Sequence, residues 1–307
     1  MSETTSNGSG SGKSREETRH PMVVAAHERL DRLHGEITRL GLERNIVELE
    51  IYGYTVVHDA MPMAFFDELR ETIMELGEQD RAAGKRLPLA GAAGNSYLVA
   101  QLAARGRVFE RAIMSEKPLT LVTYLLGESC QLSSCHGHVR VQGDPPQSMH
   151  IDVPLVPEPV PPFVHTCNMM WCTDEFTRES GGTLVVPGSH KRGVHPLPGE
   201  SSRKMAIPVD VPKGSMMVFS GNLWHCAGAR TIPGERVGMT CYFSRMYARP
   251  QEPLDELVSD EAIARNPPRF AELVGRYNPY PARGYTMPGD RAPQSAKYFA
   301  VTQDPRG

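Results

Sequence analysis

Apolar residues recur at helical spacing in two stretches near the N-terminus, first at Leu30, Leu33, Ile37 and Leu40 and then at Phe66, Leu69, Ile73 and Leu76. Steps of three and four residues put each set on one helical face. Pro62 suits the first turn of the second helix, where its missing N–H costs nothing. Between the two, Tyr54 to Val57 reads as a short strand, and a third helix is expected from Ser115 to Leu126, stopped by Gly127. From about residue 130 the texture changes to short runs of β-forming residues broken by Pro and Gly, with strands expected at 138–142, 147–153, 164–173, 183–186, 205–209, 216–220 and 237–246. That pattern predicts a mainly β fold with helical additions, a sandwich or jelly roll rather than alternating βα units.

The ends and one internal segment depart from this pattern. Residues 1–20 are rich in Ser, Gly, Thr and Glu, and too polar to offset the entropy of ordering, so a flexible tail is expected there. Residues 21–307 read as a single domain: a helical part at 21–128, a β core at 129–248 and a C-terminal extension at 249–307 with a helical stretch near 269–277. The proline-rich run PLVPEPVPP at 154–162 predicts a stiff extended loop that walls the site beside it.

Composition narrows the partners. The chain is 40% hydrophobic and 22% charged, with a formal net charge of -3, so no excess of basic surface invites nucleic acid or an anionic membrane. No apolar run approaches a membrane span and the polar start has no signal-like core, so a cytosolic protein with a small-molecule partner is expected. Six cysteines without a CxxC pair read as buried free thiols rather than as disulfides or zinc ligands.

The chemistry concentrates in MHIDV at 149–153. Strand side chains alternate, so His150 and Asp152 project from the same side and together offer a nitrogen and a carboxylate oxygen. His225, in GNLWHCAG, is the best third donor. Two histidines and one carboxylate on one face of Fe(II) leave positions open for a bidentate co-substrate and O2. Each residue alone has a structural explanation, and His136, His138 and His165 compete for the same role, although they bring no carboxylate. His27, His34 and His58 lie in the helical region, and His190 and His195 flank a loop and are expected to face solvent. Arg236 opens the strand RVGMTCYF, where its fork suits a carboxylate in a way lysine does not. Its structural alternative is a surface pair with Glu235, and Arg230 is a weaker candidate in the preceding loop. Gly238 leaves room beside Arg236, and Thr240 adds a hydroxyl in phase.

In these parts the chain resembles the phytanoyl-CoA dioxygenase family of Fe(II)/2-oxoglutarate oxygenases. The resemblance runs from about Glu48 to Met246 through IYGYTVVHDAMPMAFFDELRETI, the HID triplet, WCTDEFTRESGGTLVVPGSHKRG, VPKGSMMVFSGNLWHCAG and Arg236. It implies a double-stranded β-helix core, His150, Asp152 and His225 as iron ligands, and Arg236 on the distal carboxylate of 2-oxoglutarate. It also implies oxidation of a substrate C–H bond by O2 with release of succinate and CO2, hydroxylation being the default and desaturation, epimerisation or cyclisation the alternatives. Some members carry a serine two residues after the second histidine; here Ala227 stands there, which leaves Thr183 or Thr240 as the hydroxyl partner of Arg236. Retention of Asp152 disfavours halogenation. Met149, Asn168, Met170 and Trp171 are expected around the metal as substrate contacts, suiting an apolar or mixed substrate. Lys191-Arg192 is too small a basic cluster to argue for an acyl-CoA, so a free metabolite is favoured. Two other classes remain open: a metal-binding sensor without turnover, and a zinc hydrolase, which would give Arg236 no task.

Overall fold

The computed structural model describes residues 21–89, 96–153, 155–197 and 200–276; the tail expected at residues 1–20 and the end of the C-terminal extension lie outside the described residues. Helices α1 (Pro21–Leu40), α2 (Glu43–Tyr52) and α3 (Met63–Ala82) precede α4 (Arg107–Ile113) and α5 (Glu116–Leu126), with strand β1 (Tyr54–Val57) after α2. Strands β2 (Leu87–Pro88) and β3 (Tyr97–Val99) lead into the core strands β4 (Gln131–Val141), β5 (Thr166–Cys172), β6 (Thr183–Val185), β7 (Ile207–Pro208), β8 (Ser215–Ser220), β9 (His225–Ala227) and β10 (Glu235–Ser244). A short helix α6 (Glu200–Arg203) precedes β7, and α7 (Leu254–Leu257), α8 (Asp260–Arg265) and α9 (Pro268–Leu273) follow β10.

The strands form two sheets, one of seven strands in the order β1-β8-β5-β10-β4-β3-β2 and one of three in the order β7-β6-β9. Every ladder is antiparallel. This is the jelly-roll core with N-terminal helices that the sequence predicts.

Alternation divides the large sheet into two faces. Cys135, Val139, Cys167, Met169, Trp171, Met216, Val218, Val237, Met239 and Cys241 join one buried cluster with Phe65, Phe66, Leu69 and Ile73 of α3 and with Leu121, Val122 and Leu125 of α5. The intervening residues point toward the small sheet. A second cluster, of Met149, Ile151, Val153, Val160, Leu184, Val186, Trp224 and Cys226, packs behind the small sheet. A cavity of about 370 Å³ remains between the two sheets. All six cysteines are buried and free, as the sequence suggests, and no helix among the described residues is long and apolar enough to cross a membrane.

One expected strand is absent. Residues 147–153 form no ladder beyond a single bridge between His150 and His225. Pro145 and Pro146 before the segment and Pro154 after it have no N–H to donate to a longer ladder. The alternation survives nonetheless: Met149, Ile151 and Val153 are buried in the second cluster, while His150 and Asp152 face the other way.

Candidate metal centre and co-substrate pocket

The single bridge is what brings the donors together. His150 N–H donates to the His225 carbonyl at 3.0 Å, and His225 N–H returns a bond of 3.0 Å to His150. The Asp152 N–H is held at 2.7 Å by the Gly221 carbonyl, in the turn between β8 and β9. The two imidazole centroids then lie 4.4 Å apart. Asp152 places one carboxylate oxygen 3.6 Å from His150 Nε2 and the other 3.5 Å from His225 Nε2. All three ligand atoms fall within 4.8 Å of one another, close enough to share one ion.

Hydrogen bonds fix the orientation of each donor. Nδ1 of His150 lies 2.9 Å from the Ser148 carbonyl, and Nδ1 of His225 lies 2.9 Å from that of Leu223. A ring whose Nδ1–H donates to a carbonyl keeps its Nε2 lone pair for a metal. Burial holds His225 below the usual imidazole pKa against the opposing pull of Asp152, which favours the neutral, ligating form. Asn168, on β5, donates to Asp152 Oδ2 at 2.6 Å, and the Tyr242 hydroxyl, on β10, donates to the Asp152 carbonyl at 2.5 Å.

The cavity runs from this triad along the inner face of the large sheet to Arg236. Arg236 is buried, donates Nη1 to the Gly181 carbonyl and lies 4.0 Å above the Phe176 ring. Gly238 makes that stacking possible, because a Cβ there would come within 2.7 Å of Phe176. The room that the sequence suggests beside Arg236 is thus filled by an aromatic ring. The neighbouring Glu235 is exposed, so the surface pair with it is not formed. Arg230 is committed to backbone carbonyls, donating to those of Gly234, Ser180 and Pro233 at 3.1, 3.2 and 2.7 Å. Thr183 and Thr240 both line the cavity. The Thr240 hydroxyl is engaged at 2.8 Å with His138 Nε2.

The sequence profile of the phytanoyl-CoA dioxygenase family (PhyH) matches residues 49–238. The chain belongs to this family. It is a non-haem Fe(II)- and 2-oxoglutarate-dependent dioxygenase. Among similar proteins, the Mycobacterium tuberculosis protein Rv1501 is 29% identical over 75% of this chain and 85% of its own. Dioxygenase af480 of Aspergillus fumigatus is 26% identical over 61% of this chain and 59% of its own. Among solved structures, EctD from S. alaskensis with bound Fe aligns with a TM-score of 0.57 at 18% identity, over 68% of this chain and 79% of that one. HygX from Streptomyces hygroscopicus, with nickel and 2-oxoglutarate bound, aligns at 0.53 and 13% identity, over 68% and 89%. At these identities the structural likeness is one of fold.

Two expected substrate contacts lie elsewhere. Trp171 is fully buried on the helix side of the large sheet, its ring 5.3 Å from Phe65 and 5.6 Å from Phe66. Met149 points into the cluster behind the small sheet. Each is an odd number of residues from a cavity-facing neighbour, Met170 and His150 respectively, and alternation sends it to the other face. Met170 does line the cavity, as does Asn168, whose amide is occupied by Asp152. None of the described residues of the proline-rich run, 155–162, lines this cavity; Val160 packs in the second cluster instead. Of the competing histidines, His165 faces Tyr247 at 2.6 Å, outside the cavity lining. His190 does not face solvent: it is half-buried over Gly53, and burial holds it at a pKa of about 4. His195 is half-buried too, with Nε2 at 3.0 Å from the Val156 carbonyl.

His136 and His138 do line the cavity, with His136 Nε2 at 3.0 Å from Glu252 Oε1. Residues not anticipated from the sequence are Phe176, beneath Arg236, and the cavity-facing Arg140, Gln147, Tyr242 and Gln251. Gln147 lines the cavity although it stands three residues before His150, and its side chain accepts from the Ala227 N–H at 3.2 Å.

Proposed function

We propose that the enzyme oxidises an unactivated C–H bond of a small free metabolite, with hydroxylation as the outcome, His150, Asp152 and His225 as the Fe(II) ligands, and Arg236 with Thr183 as the seat for the distal carboxylate of 2-oxoglutarate. The supporting observation is the convergence on one cavity of three preoriented donors and, further along the same wall, a buried guanidinium. The donor set suits Fe(II): two imidazoles with Nδ1 tied to carbonyls, one carboxylate, and an open side toward the cavity.

Bound there, Fe(II) with 2-oxoglutarate and O2 supplies the oxidising equivalent, and the keto acid leaves as succinate and CO2. The protein's own part is positioning. Asn168 holds the Asp152 carboxylate in place, and the fork of Arg236, braced by Phe176, sets the keto acid in line with the ligand face. Ser134, His136, Tyr242 and Gln251 line the cavity as well and make the substrate end polar. A cavity of about 370 Å³ that must also hold the co-substrate favours a small substrate. Asn168 and Met170 remain substrate-facing candidates in this reading.

We place the enzyme in the cytosol, acting on a free metabolite rather than on nucleic acid or a membrane. Six buried free thiols suit a reducing compartment, and a formal net charge of -3 gives no basic surface for polyanions.

The test is a panel of candidate metabolites scored by succinate formation with Fe(II), 2-oxoglutarate and O2. Substrate-dependent succinate is expected, and the oxidised product then separates hydroxylation from desaturation, epimerisation and cyclisation. An anaerobic titration of the Fe(II) protein with 2-oxoglutarate should give the weak visible band of a chelated keto acid. Metal binding without that band would replace the oxygenase with a sensor on the same fold.

A further inference from the structure

Arg140 occupies the position directly opposite Arg236 in the ladder between β4 and β10. Opposed side chains share a face and stand roughly 5 Å apart at Cβ, where like charges repel. Both guanidinium groups are buried, at 1% and 4% exposure. A third buried cation, Arg230, is near enough to disfavour the charge on each. The buried carboxylate facing Arg140 is Asp144, with Oδ2 3.3 Å from Arg140 Nε. Asp174 is shared with Arg70 and with the Val237 N–H, and Glu235 is exposed. The inner end of the cavity thus carries more buried positive than negative charge, an arrangement that is costly until an anion enters. Burial, with Arg140 and Arg230 alongside, brings Arg236 down to about 9.

The hydrogen bonding of the pair points the same way. Arg140 donates Nη2 to the Pro145 carbonyl at 2.9 Å, but its Nη1 has no hydrogen-bond partner, nor has Nε of Arg236. Both side chains line the cavity onto which the metal triad opens. Ala227, on the opposite wall, offers no hydroxyl to complete the seat.

We propose that Arg140 is a second anchor for the co-substrate, its free Nη1 closing with Arg236 on the same distal carboxylate, one arginine from each of two paired strands. The proposal rests on the reading of this cavity as the 2-oxoglutarate seat. It makes Arg140 a determinant of specificity for a keto acid with a second carboxylate. A keto acid of the same length without that group, 2-oxopentanoate, would leave both guanidinium groups unanswered.

The experiment titrates the anaerobic Fe(II) protein with 2-oxoglutarate and, separately, with 2-oxopentanoate, reading the visible band and the heat of binding. The wild type should prefer 2-oxoglutarate. Arg140→Met should lower 2-oxoglutarate affinity by roughly ten- to a hundredfold, the range for one charge-assisted hydrogen bond, and leave 2-oxopentanoate affinity unchanged. Arg140→Lys keeps a charge beside Asp144 but loses the fork, so its preference should fall between the two; it decides the matter if the Met variant does not fold. Equal loss for both keto acids, or an unchanged preference, would mean that Arg140 is structural and overturn the proposal. A wild type that takes Fe(II) but neither keto acid would instead overturn the oxygenase reading itself, whatever the Arg140 variants do.

Discussion

The same strands of the large sheet present two surfaces of opposite character. On the helix side β4, β5 and β10 contribute Cys135, Val139, Met169, Trp171, Val237 and Met239, all fully buried against the helices. On the cavity side, one residue along in each case, they contribute His136, His138, Arg140, Asn168, Met170, Arg236 and Thr240. The helix side buries apolar area, which stabilises by roughly 25 cal/mol per Å². The cavity side holds two arginines and two histidines in places where each charge costs free energy. The apolar face therefore carries the stability that lets the other face remain polar and charged, and substitutions on the two faces should fail in different ways.

The largest effect is expected at the metal. Asp152→Ala removes the anionic donor of the triad, and succinate formation at micromolar iron should be lost while the thermal midpoint of the metal-free protein changes little. Near-normal turnover in this variant would end the triad assignment. On the opposite face, Trp171→Ala vacates the space against Phe65 and Phe66 and should destabilise by roughly 3–5 kcal/mol, read from the denaturant midpoint. Its folded fraction should bind 2-oxoglutarate as the wild type does; a selective loss of keto-acid affinity would erase the distinction between the faces. Asn168→Leu, at the boundary, frees the Asp152 carboxylate and should weaken iron binding by roughly ten- to a hundredfold in a competition titration. An unchanged iron affinity would return Asn168 to the substrate side.

The smallest effect concerns pH. Burial, with His136, Arg236 and Arg140 adding their charges, lowers the His138 pKa to about 3, from an ordinary 6.5. Between those values the unfolded chain binds a proton that the folded chain refuses, so stability is lost as pH falls through the window, by at most about 1.4 kcal/mol per pH unit. His138→Gln should lose less stability than the wild type between pH 7 and pH 5 by chemical denaturation. Equal losses would show that His138 is not held neutral.

How much of this was legible in the sequence follows from the same alternation. His150 and Asp152 can be paired from their spacing of two, and GNLWHCAG and Arg236 can be found from the family pattern. The jelly roll follows from short β-forming runs between Pro and Gly. Applied consistently, the spacing rule would have excluded Met149, one residue from His150, and would have kept Asn168 and Trp171, three apart, from sharing a face. Arg140 gave no signal, because an arginine near the end of a strand reads as surface until its register opposite Arg236 is known. Phe176 was hidden for a related reason: its place under Arg236 depends on Gly238, on a strand more than sixty residues later. The loop 154–162 has the composition of a wall, but Val160 turns it toward the apolar cluster behind the small sheet.

The bridge between His150 and His225 also bears on how an ion comes and goes. The side chain of His150 is 42% exposed, while those of Asp152 and His225 are at 18% and 9%. The donors therefore stand at graded depths, from a rim to a floor. If these three side chains hold the ion, it would reach them from the side of His150, the most exposed of the three. The exchange of such an ion would then depend on His150 and on the short segment that carries it, held to the sheet by one reciprocal pair of backbone bonds.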